Sequence, residues 1–80
     1  MGSPPDMNIV KVLEDVFDKQ LGPVNVYIVE QTIMDMGQTR HTFSQDDVEP
    51  FLTHIKREYS KVLGHKVDVL EADIRKALIE

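Results

Sequence analysis

The chain has no cysteine in its 80 residues, which excludes disulfides and removes the thiolate ligands that common structural zinc motifs of this size require. Stability must come from packing, and the missing thiols suit a reducing compartment, so a cytoplasmic location is expected. No apolar run approaches the roughly 18 residues needed to span a bilayer, and the N-terminus lacks the charged-then-apolar layout of a signal peptide. No membrane partner is expected. Glycine and proline number four each, too little punctuation for many short strands and suited to a few long helices. Bases are also scarce, nine against fourteen acids for a net charge of -5, which repels a phosphate backbone unless the cations gather on one face. Lys56, Arg57, Lys61 and Lys66 gather only in part, with Glu58 among them, so no nucleic-acid partner is expected.

What the chain does have is a globular balance, 41% hydrophobic and 29% charged, in a length that supports one domain. Met1 to Pro5, with the polar MGSPP run, reads as a disordered leader or expression scar, and Met7 is a plausible natural start. From there Ile9, Val10, Leu13, Val16, Phe17 and Leu21 recur at helical spacing, with Asp6 or Asn8 as a cap and Gly22 as the stop. Pro23 is suited to the first position of the next helix.

Val24 to Met36 carries β-branched residues that would also suit a strand over 24–29. Its length, its flanks at Pro23 and Gly37 and the stripe Val26, Val29, Ile33, Met36 favour a helix, and a lone strand would have no partner. After a polar loop, Ser44 with Asp47 forms a capping box and Phe43 with Val48 a hydrophobic staple. Pro50 then requires either that the helix proper start near Asp47 after a tight turn, or that it kink. The third helix places Val48, Phe51, Leu52, Ile55, Tyr59, Val62 and Leu63 in one stripe and stops at Gly64. Asp68 with Glu71 offers a second capping box for a last helix with Leu70, Ile74, Ala77 and Leu78 inward, and no stop signal follows it.

The sequence therefore predicts an all-α, compact four-helix bundle made of two αα-hairpins, with helices over about 7–21, 23–36, 45–63 and 68–79. An internal echo supports the hairpin plan. A shift of 42 residues lays Ile9 on Phe51, Val10 on Leu52, Leu13 on Ile55, Phe17 on Tyr59, Leu21 on Leu63 and Gly22 on Gly64. Duplication with pseudo-twofold packing would produce this pattern, as would any two amphipathic helices ending in glycine.

No constellation points to catalysis. Ser44, Ser60 and the threonines lack the glycine elbow that acyl transfer uses, no glycine-rich loop cradles a phosphate, and no enzymatic activity is expected. His41, His54 and His65 stand 13 and 11 residues apart, so a helical metal pair at a spacing of three or four is excluded, and no metal or cofactor is expected. Asp46, Asp47 and Glu49 lack the alternation and glycine of a calcium loop and suit the positive end of a helix.

The second helix is apolar on nearly every side, with Val24 and Ile28 forming one group off the main stripe and Tyr27 and Met34 another. A helix in a small monomer normally keeps one side wet. The expectation is thus a non-catalytic protein-interaction or oligomerisation module, contacting a protein partner or a second copy as a homodimer. Val24, Tyr27, Ile28 and Met34, with Arg40 and His41 of the following loop, are the candidate contact residues. The alternative is a small ligand-binding or metal-sensing domain using His41, His54 or His65 with the acids of the third helix.

Overall fold

The computed structural model describes residues 9–79; the leader and the caps expected at Asp6 or Asn8 lie outside that range. The chain folds as four helices, α1 (Ile9–Leu21), α2 (Tyr27–Asp35), α3 (Val48–Leu63) and α4 (Lys66–Leu78), with single 3₁₀ turns at Pro23–Asn25 and Gln45–Asp47. Among the described residues there is no strand, and no helix is long and apolar enough to cross a membrane. The segment after Pro23 coils: the proline opens the 3₁₀ turn, Val26 continues it, and α2 follows without a break in the winding. Each helix pair closes through a glycine with positive φ, Gly22 at 92° and Gly64 at 60°, a conformation in which a side chain is strained.

Pro50 is accommodated by the first of its two routes. Ser44 starts a 3₁₀ turn, the Asp47 carboxylate accepts the Ser44 amide at 2.9 Å, and α3 begins at Val48, so Pro50 takes the third helical position, where an amide has no intrahelical acceptor. The last helix differs from expectation. It begins at Lys66, two residues early, with the Val67 amide bonded to the Gly64 carbonyl at 3.2 Å and the Asp68 amide to His65 at 3.1 Å. That start brings Val67 into the core, and Glu71 pairs with bases instead of closing a box with Asp68.

One core runs through all four helices. Val10, Leu13 and Phe17 of α1, Ile28, Val29 and Ile33 of α2, Phe51, Leu52 and Ile55 of α3 and Val67, Leu70 and Ile74 of α4 are buried, with α1 packing most extensively on α4. Phe51 is central, meeting Phe17 edge-on at 6.2 Å between ring centres and the loop residue Phe43 at 5.8 Å. The echoed positions Val10 and Leu52, and Leu13 and Ile55, are buried alike. Val62 is not: it shares the stripe of Val48, Phe51 and Ile55, yet it is 77% exposed. Ala77 is exposed as well.

The buried face of α2 is Ile28, Val29, Thr32 and Ile33, turned round the helix from the stripe that begins at Val26. Thr32 is carried inward with its apolar neighbours, and its hydroxyl oxygen has no hydrogen-bond partner. Thr32→Val removes that unmet polar group at nearly constant shape and is expected to raise stability by about 1 kcal/mol, moving the thermal midpoint up by about 4–8 °C. Calorimetry of the two proteins checks it; an unchanged or lower midpoint would show that the hydroxyl is satisfied.

A charge network ties α3 to α4. Arg75 holds Glu49 through two bonds, at 2.6 and 2.9 Å, and Glu71 at 3.0 Å, while Lys56 reaches Glu71 at 3.1 Å. Lys56 and then Arg75 hold the Glu71 carboxyl below its ordinary range, and Arg75 does the same to Glu49. A carboxyl depressed in the folded state stabilises above its unfolded pKa and loses that contribution as pH falls through the folded value. The melting midpoint should therefore drop below about pH 4, and Glu71→Gln should flatten that drop while lowering the midpoint at neutral pH. Melts from pH 7 to 3 measure both slopes.

Candidate functional site

The outer side of α2 is set by what its inner side buries. With about 100° per residue, packing Ile28, Val29, Thr32 and Ile33 inward turns Tyr27 and Met34 outward within about 20° of each other. They are 62% and 67% exposed, and Val24 of the preceding turn is 81% exposed. Glu30 lies on one side of this strip and Asp35 on the other, with Gln31 between; the Gln31 amide donates to the Asp35 carboxylate at 3.2 Å. Of the candidate contact residues on this helix, Ile28 is a correction. It is 2% exposed and belongs to the core, because α2 offers its side chain to the bundle along with Val29.

Gly37, with φ of 76°, ends α2, and the loop behind it is well tied. The Gln38 amide bonds Ile33 at 3.0 Å, and Thr39 and Thr42 close a turn through the Thr39 amide and the Thr42 hydroxyl at 2.8 Å. Phe43 anchors the far end in the core. Arg40 bridges two helices, with Nη2 at 3.1 Å and Nη1 at 3.3 Å from the carboxylate of Glu14 on α1, and Nη1 at 2.7 Å from Glu30 on α2. The Glu14 hydrogen bond leads the interactions that raise the Arg40 pKa. Its guanidinium thus fixes the loop to the bundle, while His41 beside it is exposed.

That arrangement leaves a notch of about 310 Å³ beside Met34, walled by Ile33, Met34, Thr39 and the Arg40 side chain, with Glu30 and Gln38 at its rim. Its size is at the lower limit for small-molecule pockets and suits one anchoring side chain. The periodicity of Val24 to Met36 pointed to surplus apolar surface but carried no sign of the notch, which forms where the loop, tied by Gln38, Arg40 and Phe43, folds back against α2.

A wider depression of about 620 Å³ lies where the end of α2 meets α3, lined in part by Asp47, Glu49, Thr53, His54 and Arg57. Its acids are already engaged: Asp47 with Ser44 and with the Gln38 amide at 3.2 Å, Glu49 with Arg75. His54 Nε2 is 3.7 Å from Asp35 and makes no hydrogen bond. His41 and His65 are exposed, and among the described residues no three His, Asp or Glu side chains converge to hold a metal ion. Lys56, of the partly basic run, is turned to Glu71. The chain matches no family model, no curated protein and no solved structure.

Proposed function

We propose that this chain is a non-catalytic protein-interaction module, acting in a reducing compartment such as the cytoplasm, with the outer face of α2 as its contact surface. The observation that carries the reading is the exposure of Tyr27 and Met34 on the reverse of a helix whose inner side chains are fully packed, with Val24 exposed in the turn before it. Leaving three large apolar groups in water adds nothing to the stability of the bundle, and such groups beside a notch are how a rigid scaffold holds a partner. The acids of the wider depression are spent on capping and on ion pairs, which also favours binding over catalysis.

Affinity capture from the native extract with the natural protein and a Tyr27→Ser, Met34→Ser double variant tests the reading. A partner held in stoichiometric amount by the first and lost by the second is expected, with the two proteins melting within a few degrees of each other. Self-association is read from light scattering over a dilution series, and an oligomer whose mass the double variant leaves unchanged counts against α2 as the contact.

A further inference from the structure

Resting on that reading of α2 as the contact face, we infer that its occupant is an amphipathic helix of another protein whose apolar stripe is flanked by lysine or arginine. Charge is the reason. Residues 20–39 contain no Lys and no Arg, and the first cation after them, Arg40, is taken up by Glu14 and Glu30. Counting Glu14, Glu30 and Asp35 against Arg40, this side of the molecule is two charges negative around an apolar centre. A partner that supplies bases at the rim gains from both features.

A second copy does not. A twofold contact sets identical surfaces against each other, so the Asp35 and Glu30 rims of the two chains would meet with no base beyond Arg40, which Glu14 and Glu30 of its own chain already hold. Tyr27 and Met34 are seven residues apart, about 10.5 Å along the axis. That length equals the i to i+7 spacing of the anchors of a docked helix, two turns, with the notch beside Met34 receiving one of them.

The test is a selection from displayed helical peptides in which leucines at i, i+3 and i+7 are fixed and the flanking positions are randomised among Lys, Arg, Glu, Gln and Ser. Lysine and arginine should be enriched at the flanks. The leading peptide should bind about tenfold more weakly to Met34→Ser and to Gln31→Lys, which places a cation inside the acidic rim without touching the core. Affinity should also fall with added salt. Neutral or acidic flanks, or binding that both variants leave unchanged, would overturn the inference. Sedimentation separates the two levels of the argument: a dimer that Met34→Ser dissociates would replace the helical partner with a second copy and leave α2 as the contact face, whereas no dimer and no peptide that depends on Met34 would remove both.

Discussion

Replacing Ile28 by aspartate is expected to unfold the protein, while the same change at Met34, six residues further along one short helix, leaves its stability within about 0.5 kcal/mol. Ile28 is packed among Val29, Ile33 and the core of the bundle. The substitution forfeits roughly 1.5–3 kcal/mol of side-chain burial, and the carboxylate it introduces must either remain charged without a partner or take up a proton, which adds several more. At about 0.05–0.15 kcal/mol per residue, a chain of this size has only about 4–12 kcal/mol to lose. Met34 is exposed, and a carboxylate there is solvated. Circular dichroism and urea titration of the two variants make the comparison. A folded Ile28→Asp protein would mean that α2 turns the opposite way, and with it the proposed contact face would be lost.

Phe51→Ala should cost about 3–5 kcal/mol, the second largest effect expected for a single side chain here. Phe51 is fully buried, and it joins α3 to α1 through Phe17 and to the loop through Phe43, both rings meeting it edge-on. The deletion leaves a cavity bordered by α1, α3 and the loop. For a domain of this length the thermal midpoint should fall by roughly 18–30 °C, and amide exchange in the loop from Gln38 to Phe43 should quicken because Phe43 loses the ring it rests on. A midpoint within a few degrees of the natural protein would show that the core closes over the gap and that Phe51 is not its centre.

Much of this fold is legible in the residue order. Gly22, Pro23, Gly37 and Gly64 mark where helices stop and start, because each acts through its own backbone, and the Ser44 and Asp47 pair works across three residues. Periodicity likewise placed Leu13, Phe17, Phe51, Ile55, Leu70 and Ile74 inside. Where it failed, the missing information lay on another element. Val62 shares the inward phase of α3 but is left uncovered, and Ile28 stands off the apparent stripe of α2 but faces the core. For α2 the sequence offered apolar residues on all sides, and only the neighbours decide which of them are covered.

The candidate contact surface divides along the same line. That α2 holds more apolar side chains than one face can hide was readable from Val24 to Met36, as was the lack of bases from residue 20 to residue 39. Tyr27 and Met34 were legible as one group as well, whereas the notch beside them was not: it involves α1, whose Glu14 takes Arg40 across 26 positions of sequence and holds the loop against α2. The sequence determined the four helices, the glycines at which they stop and the surplus of apolar surface, since these follow from local backbone preference and from composition. Tertiary packing decided which side of α2 is wet and where Arg40 lies, because burial and ion pairing are properties of groups brought together from distant parts of the chain.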